Sequence, residues 1–304
     1  MIQKGLGSMG YMDFYVSRSP FFSGVQAAFE HADYVLVGVP FDVTSTYRTG
    51  ARFAPSAIRE ASLNIETHSL FTGVDVEDLK IHDLGDLHVA SKVDETLKRL
   101  ALVVKDILDA KKVPVIVGGE HTITLGAIKG LKRKIAVIDL DAHLDLRDEY
   151  MGLKTSHTTF MRRINEQIRP EAIVEIGTRA VCKEELNYAA ENSVTFFTTL
   201  QIRKEGVKRT VDAVRKTLEG CEEIYLTIDM DVFDPAFAPA VQNPEPDGLS
   251  TEVFFELLHA LCDSSVIGLD LVEVAPPYDN GVTAALAAKT LFEALCCIEK
   301  ARKV

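Results

Sequence analysis

Short runs of apolar residues alternate with longer amphipathic stretches over most of this 304-residue chain. The runs are apolar throughout instead of alternating with polar residues, which is typical of strands buried on both faces of a parallel sheet. The predicted strands are Tyr34–Val39, Val113–Val117, Ile135–Ile138, Ala172–Ile176, Val194–Phe197, Ile224–Ile228 and Val266–Val272. A mainly parallel sheet is therefore expected.

Two of the amphipathic stretches carry apolar residues at helical spacing. These residues are Val93, Leu97, Leu100, Val104, Ile107 and Leu108 in the first stretch, and Ala285, Ala288, Leu291, Leu295 and Ile298 in the second. Strand and helix alternate from about residue 33 onward without a linker or a repeat, so residues 1–304 are predicted to form one α/β domain. Residues 1–32 are expected to be an extension that packs on this domain or on a neighbouring subunit. An open doubly wound sheet and a closed eight-stranded barrel both satisfy the pattern.

Composition and charge argue against several classes of protein. Hydrophobic residues make up 47% of the chain and charged residues 26%, which is ordinary for a globular protein. A net charge of −12 argues against a nucleic-acid partner, because phosphates demand basic patches. The longest apolar runs are far shorter than the roughly 20 residues of a membrane helix. The N-terminus lacks a secretory signal, and five cysteines without Cys-x-x-Cys spacing are typical of a reducing compartment, so we expect a cytoplasmic protein.

Acidic and imidazole side chains follow three of the predicted strands directly. The segments are Gly118-Gly119-Glu120-His121, Asp139-Leu140-Asp141-Ala142-His143-Leu144-Asp145 and Asp229-Met230-Asp231, and Glu273 follows a fourth strand. Side chains two residues apart on an extended segment project to the same side, so Asp141, His143 and Asp145 can converge on one point, as can Asp229 and Asp231. These segments offer the aspartates no basic partner, and two divalent cations would balance four carboxylates.

Each motif taken alone has an ordinary structural interpretation. A single Asp-x-Asp is typical of a strand-end turn or a helix N-cap, and His121 alone could be a core histidine. All three motifs together favour a metal site instead. The glycine pair before Glu120 predicts a tight bend that aims His121 into the crevice. Because the donors are nitrogen and hard oxygen without a thiolate, the expected metal is Mn²⁺, although Fe²⁺, Co²⁺, Ni²⁺ or Zn²⁺ could occupy the same site.

The chain resembles the ureohydrolase family, which includes arginases, agmatinases, guanidinobutyrases and formiminoglutamases, from about Gly38 to Ala294. The resemblance is carried by Gly38-Val39-Pro40-Phe41-Asp42, Gly118-Gly119-Glu120-His121, Asp141-Ala142-His143-Leu144-Asp145, Ser156-His157, Asp229-Met230-Asp231-Val232-Phe233-Asp234-Pro235 and Glu273-Val274-Ala275-Pro276. It implies a three-layer αβα sandwich around an eight-stranded parallel sheet, the arginase-like fold. It also implies a homo-oligomer, a trimer or a hexamer.

The same resemblance implies a ligand set and three catalytic side chains. One metal would be held by His121, Asp141, Asp145 and Asp229, and the other by His143, Asp141, Asp229 and Asp231. The expected cofactor is two Mn²⁺ per subunit, which together activate a water for attack on a guanidinium carbon. Asp145 would orient this water and pass its proton to the leaving amine, Glu273 would face the cationic head of the substrate, and His157 would relay protons or contact substrate.

The segment after the second motif indicates which guanidino compound is expected. Arginases continue with a loop of Asn, Thr and Ser residues, whereas Leu146 to His157 here resembles agmatinases, which convert agmatine to urea and putrescine. Asp148 or Glu149 could meet the distal ammonium of agmatine, or both could be solvated loop charges. The 239–248 loop departs from the glycine-rich loop of many agmatinases, which leaves guanidinobutyrate, arginine and formiminoglutamate as competitors.

Two interpretations from other classes remain open at this stage. A noncatalytic, metal-stabilised regulator of polyamine metabolism would not require Asp145, His157 and Glu273. A zinc deacetylase-like hydrolase would bind one metal and would not require His121 and Asp231.

Overall fold

The computed structural model describes residues 11–17, 21–131 and 133–303, in which nine strands form one sheet. The strands are β1 Val16–Ser17, β2 Tyr34–Val39, β3 Ile81–Leu87, β4 Val113–Gly118, β5 Ala136–Leu140, β6 Ala172–Thr178, β7 Thr195–Thr198, β8 Ile224–Asp229 and β9 Val266–Val272. Their order is β1-β3-β2-β4-β9-β8-β5-β6-β7. The strands β2 to β9 run parallel, and the two-residue β1 pairs antiparallel with β3 at the edge. The prediction of an eight-stranded parallel sheet is confirmed.

Helices connect these strands along the chain. They are α1 Tyr11–Tyr15, α2 Ala54–Ser62, α3 Val93–Asp109, α4 Ile123–Leu131, α5 Phe160–Gln167, α6 Lys183–Glu191, α7 Thr199–Glu205, α8 Val207–Thr217, α9 Thr251–Leu261 and α10 Val282–Arg302. Both stretches with helical spacing in the sequence are helices, α3 and α10. None of the helices in the described ranges is both long and apolar enough to cross a membrane.

The two faces of the sheet bury separate cores, and this makes the fold a three-layer sandwich. One core packs alternate strand residues such as Leu36 and Val115 against α2, α8, α9 and α10. The other packs the intervening residues, such as Val37 and Ile116, against α3, α4, α5 and α6. Because strand side chains alternate between faces, a strand covered on both sides must be apolar throughout. The barrel that the pattern left open is excluded by this open sheet.

The strand β3 is not among the strands predicted from the sequence, because it lacks a continuous apolar run. Its residues alternate between buried and half-buried, since it lies next to the edge of the sheet. Its Asp83 is buried, and both carboxylate oxygens of Asp83 lie 2.8 Å from the guanidinium of Arg59 on α2. Arg59 also lies 2.5 Å from Asp86 and is fully buried. Bidentate charge pairing therefore joins α2 to the edge of the sheet.

We predict that Arg59→Met lowers the free energy of unfolding by about 3–5 kcal/mol, because Asp83 would stay buried without its cation. Urea denaturation measures the change. The matched control is Arg133→Met, whose 2.8 Å pair with Glu223 is largely exposed and should contribute less than about 1 kcal/mol. Equal losses of unfolding free energy in the two variants would contradict the stabilising role of the buried pair between Arg59 and Asp83.

Candidate metal centre

Three strands, β4, β8 and β5, deliver the predicted ligands to the same edge of the sheet, and β9 delivers Glu273 to that edge. The four strands are neighbours in the order β4-β9-β8-β5, and the segments that carry these side chains start at or just beyond the carboxyl ends of the strands. The carboxyl edge of a parallel sheet is where ligands bind in open α/β folds. The structure brings together side chains that are up to 110 residues apart in the sequence, from His121 to Asp231.

The first group of ligand atoms surrounds His121. Its Nδ1 lies 3.1 Å from Oδ2 of Asp141, 3.1 Å from Oδ2 of Asp229 and 3.9 Å from Oδ2 of Asp145. His121, Asp141 and Asp229 are nearly or fully buried. One cation could be held among them.

The second group surrounds His143. Its Nδ1 lies 3.2 Å from Oδ2 of Asp231 and 3.4 Å from Oδ1 of Asp141. Asp141 therefore belongs to both groups, as a bridging ligand must. Asp229 belongs to the first group alone, and Asp145 lies just outside it, so their parts in the predicted ligand set stay predictions.

Local hydrogen bonds explain why aspartates in an Asp-x-Asp or Asp-x-His segment aim one oxygen at the site. Oδ1 of Asp141 accepts from the backbone N–H of His143 at 2.5 Å, and Oδ1 of Asp229 accepts from that of Asp231 at 2.7 Å. Oδ1 of Asp231 accepts from the backbone N–H of Ala142 at 3.2 Å. The first two bonds are turns that Asp favours, and the third joins two segments of the site. Together they occupy one oxygen of each carboxylate and leave Oδ2 toward the imidazoles.

The residues fit a pair of cations by their unsatisfied atoms. Nδ1 of His121 and Oδ2 of Asp141 are buried and have no hydrogen-bond partner among the described residues. Burial and the neighbouring carboxylates Asp231 and Asp141 raise the pKa of Asp229 well above its ordinary value. Buried polar atoms without partners are costly in a protein interior. Divalent cations would satisfy these atoms and offset the repulsion among the carboxylates.

A buried hydroxyl and carboxylate set the protonation of His121. Its Nε2 lies 2.8 Å from Oγ1 of Thr227, and that hydroxyl donates to Asp270 at 2.5 Å. Because Thr227 gives its single proton to Asp270, it must accept from Nε2–H of His121. In the neutral ring, Nδ1 then carries the lone pair, which is the form that binds a metal. Sequence reasoning missed Asp270, although a charged residue inside an apolar strand was an available signal.

Asp270 belongs to a polar row that crosses the sheet beneath the site. The register pairs Asp270 with Thr227, Thr227 with Asp139 and Asp139 with Glu175. Burial and the neighbouring Asp139 raise the pKa of Glu175, and burial also raises that of Asp139. The two buried carboxyls therefore hold a proton more readily than exposed carboxyls do.

Glu273 and Asp145 hold the left-handed backbone conformation, with φ of 69° and 50°. One oxygen of Glu273, Oε1, accepts from the backbone N–H of His121 at 2.6 Å, whereas Oε2 is buried without a partner. Burial raises the pKa of both carboxyls well above the ordinary values. Non-glycine residues in this conformation are strained and concentrate at functional sites.

A cavity of about 660 Å³ opens above these groups. Asp145, His157 and Glu273 all line it, together with His143, Asp229 and Asp231. The remaining lining residues are Thr46, Tyr47, Arg147, Tyr150, Thr158, Arg179, Ala180, Val181, Glu185, Asn243, Pro244 and Glu245. All three predicted catalytic side chains are therefore brought to the candidate ligands.

Of the two interpretations of Asp148 and Glu149, the structure agrees with solvated loop charges. Neither lines the cavity, and Asp148 lies 2.7 Å from the Arg163 guanidinium, which lowers the pKa of Asp148 by a direct hydrogen bond. Glu149 is exposed. Two other acids that the sequence did not connect with the site, Glu185 and Glu245, line the cavity instead, and Oε1 of Glu245 lies 4.0 Å from Nε2 of His143.

The expected reason for the glycine pair is also corrected. Neither Gly118 nor Gly119 has a positive φ, so no unusual bend requires glycine there. A Cβ on Gly119 would instead lie 1.9 Å from the carbonyl oxygen of Phe41. Glycine is required by the close approach of two backbones, which also places Glu120 against the segment after β2.

The 239–248 loop forms part of the cavity wall through Asn243, Pro244 and Glu245. The amide of Gln242 donates to the Arg48 carbonyl at 2.8 Å, and the Arg48 guanidinium donates to the Pro239 carbonyl at 3.0 Å. The loop is therefore joined to the segment after β2.

The family of this protein is identified by its similarity to arginases. The model of the arginase family matches residues 32–297. The chain belongs to the arginase family. Enzymes of this family depend on a pair of metal ions, and the two groups around His121 and His143 could hold them.

The protein is similar to several ureohydrolases along nearly its whole length. Agmatinase of Bacillus subtilis is 37% identical over 273 residues, covering 88% of this chain and 92% of that protein. N(1)-aminopropylagmatine ureohydrolase of Thermococcus kodakarensis is 38% identical over 280 residues, covering 89% and 92%. The crystal structure of agmatine ureohydrolase of Thermoplasma volcanium has a TM-score of 0.84 and 36% identity, covering 91% of this chain and 93% of that one. This arginase-family protein is thus a ureohydrolase close to agmatinases, as the sequence motifs predicted.

We predict that Mn²⁺ raises the melting temperature of chelator-treated protein more at about pH 8 than at about pH 5.5. Without metal, the raised pKa values of Asp145 and Asp229 mean that the folded protein holds protons that the unfolded chain has released. These carboxyls therefore lower the stability of the metal-free protein as pH rises. Cations compete with the same protons, so the stabilisation by metal should grow with pH.

Differential scanning fluorimetry with and without excess MnCl₂ measures this difference. Asp141→Asn removes the negative charge of the residue common to both groups. This variant should lose most of the rise in melting temperature that Mn²⁺ produces. Equal increments at the two pH values in the parent protein would contradict metal binding by these carboxylates.

Proposed function

We propose that this ureohydrolase hydrolyses agmatine to urea and putrescine with two Mn²⁺ per subunit. The observation that carries the proposal is the convergence of two imidazoles and three aspartates, with unpartnered ligand atoms, beside a cavity that His143, Asp229 and Asp231 line. The nitrogen and hard oxygen donors, without a thiolate, support Mn²⁺. When bound, the two ions would supply an activated water as the nucleophile.

Glu273 is proposed to hold the guanidinium of the substrate. Its Oε2 is buried, unpartnered and beside the cavity, while Oε1 is fixed by the backbone N–H of His121. A carboxylate held in this way needs no reorganisation when it accepts guanidinium N–H groups. It would orient the guanidinium carbon toward the floor of the cavity.

Asp145 and His157 are proposed to move protons. Asp145 lines the cavity and lies 3.9 Å from Nδ1 of His121, so its carboxyl can take a proton from the nucleophile and give it to the leaving amine. His157 lines the same cavity, and burial lowers its pKa to about 4. A neutral imidazole is able to accept a proton at neutral pH.

The two acids Glu185 and Glu245 of the cavity wall favour a substrate that carries an amine at the end opposite its guanidinium. Glu185 is buried and accepts from the backbone N–H groups of Cys182 and Leu146, at 2.9 and 3.2 Å, so its charge is fixed in place. The Arg179 guanidinium also lines the cavity, but it donates to backbone carbonyls, including that of Asp231 at 2.6 Å. The relatives named as agmatinases agree with a cationic end group.

One observation favours a second candidate, a guanidino acid such as 4-guanidinobutyrate. Arg147 lines the cavity and stacks on Tyr150 at 4.9 Å, and it has no acidic partner among the described residues. Such a guanidinium could bind a carboxylate.

We predict that the Mn²⁺-loaded protein releases urea from agmatine with a kcat/KM at least roughly 100-fold above that for arginine. The α-carboxylate of arginine would enter a cavity lined by Glu185 and Glu245, and like charges in contact cost several kcal/mol. A urea-release assay with agmatine, arginine and 4-guanidinobutyrate measures this. Faster turnover of 4-guanidinobutyrate that Arg147→Gln abolishes would establish the second candidate instead, and a preference for arginine would contradict both.

We predict that Glu273→Gln lowers kcat/KM for agmatine by about 10²–10³-fold, because the negative charge that faces the guanidinium of the substrate is lost. The amide oxygen of Gln can still accept from the His121 backbone, so the bound metal, measured by elemental analysis, should be unchanged. The matched control is Glu293→Gln in α10, a buried acid that does not line this cavity. Activity retained in Glu273→Gln would exclude the proposed role.

A further inference from the structure

A chain of hydrogen bonds behind the cavity wall connects a buried glutamate with His157. Oγ1 of Thr44 lies 2.6 Å from Oε1 of Glu120 and 3.2 Å from Nδ1 of His157. On the other side of the ring, Nε2 of His157 lies 3.1 Å from Oγ1 of Thr46. Thr44, Glu120 and His157 are buried, whereas Thr46 and His157 line the cavity.

The number of protons available at Thr44 decides the direction of these bonds. Oε1 of Glu120 has two hydroxyl neighbours, Thr44 and Thr122, both at 2.6 Å, and Oε2 accepts from the backbone N–H of Thr44 at 2.7 Å. When Glu120 is ionised, a separation of 2.6 Å between a hydroxyl oxygen and the carboxylate oxygen places the hydroxyl hydrogen between them. Thr44 and Thr122 therefore each donate their only hydroxyl hydrogen to ionised Glu120.

Because Thr44 has no proton left, its hydroxyl oxygen can only accept from His157. It accepts from the backbone N–H of His157 at 3.2 Å and, at the same distance, from the ring. Burial keeps the ring of His157 neutral at neutral pH, so the ring carries one proton. That proton must be on Nδ1, which leaves the lone pair on Nε2.

We propose that Thr44, held by Glu120, is a positioning residue that fixes His157 in the tautomer protonated on Nδ1. The inference rests on the proposed function, in which His157 relays protons. In this tautomer, the hydroxyl of Thr46 donates to Nε2, and Nε2 is the atom that accepts a proton from the cavity side. In the other tautomer, Nε2 would already carry a proton and the relay would be blocked in its resting state.

Nitrogen NMR of the full-length protein labelled with ¹⁵N-histidine tests the tautomer directly. Burial raises the pKa of Glu120 to about 7, so spectra are recorded at about pH 8.5, on the chelated protein and after addition of diamagnetic Zn²⁺. His157→Gln assigns the signal by its loss. We expect a protonated Nδ1 and an unprotonated Nε2 in the parent protein and in Thr44→Ser, and a shift toward the other tautomer in Thr44→Val.

The tautomer assignment would be overturned by a parent spectrum with the proton on Nε2. A Thr44→Val spectrum that equals the parent spectrum would overturn the role of Thr44. If Thr44→Val fails to fold, the parent spectrum alone still decides the assignment. These spectra do not depend on urea release, so failure of the proposed function is distinguishable from failure of this inference.

Kinetics test whether Thr44 acts through His157. Thr44→Val should lower kcat for agmatine about 10-fold with KM changed by less than about twofold, and Thr44→Ser should recover most of the rate. In a His157→Ala background, Thr44→Val should have no further effect on kcat. A further loss in that background would mean that Thr44 acts independently of His157 and would overturn the proposal.

Thr290→Val is the matched control for loss of a buried threonine hydroxyl. Thr290 is fully buried in α10, its hydroxyl has no partner among the described residues, and it does not line the cavity. Its kcat should equal that of the parent protein. An equal loss of kcat in Thr290→Val and Thr44→Val would mean that Thr44 affects the rate only through packing. This result would overturn the proposal.

Discussion

The constraint on which the rest of this protein depends is electrostatic. Asp141, Asp229 and Asp231 are almost fully buried, and their Oδ2 atoms are directed at two imidazoles. Carboxylates held so close together in a protein interior repel one another and lose their hydration. Cations would resolve this conflict, because each aspartate accepts from a backbone N–H through Oδ1 and keeps Oδ2 unbonded to the backbone. The acidic cluster therefore has the arrangement of a candidate metal site.

The parallel sheet supplies the rigidity that this arrangement needs. Its strands are buried on both faces by two separate cores, so their carboxyl ends are held in position by packing on both sides. Close packing reaches the ligand loops as well, because Gly119 leaves no room for a Cβ beside Phe41. Strain at Asp145 and Glu273 is sustained by this surrounding structure.

The same device controls two histidines of the site. In each case a threonine hydroxyl donates its hydrogen bond to a buried carboxylate, and the hydroxyl oxygen must then accept a hydrogen bond from one ring nitrogen. Asp270 and Thr227 leave Nδ1 of His121 free toward the candidate metal ligands. Glu120 and Thr44 leave Nε2 of His157, on the cavity side, without a proton of its own. A single proton on each hydroxyl is enough to choose between the two tautomers of a neutral ring.

Much of the fold and the chemistry of the candidate site could be predicted from the sequence, because both depend on local patterns. Continuous apolar runs indicated buried parallel strands, and spacing of two residues indicated which carboxylates share a side. The strand β3 could not be found in this way, since its buried positions include Asp83 and Gly85, so that its sequence has neither a continuous apolar run nor apolar and polar residues in alternation. Only the tertiary structure showed that Asp148 pairs with Arg163 and that Glu185 and Glu245 line the cavity. The partners that set the histidine tautomers were equally invisible, because Thr44 and Glu120 lie 76 residues apart and Thr227 lies 106 residues from His121. Periodicity and spacing report on neighbours along one segment, whereas a hydrogen bond between distant segments exists only after the sheet has brought them together.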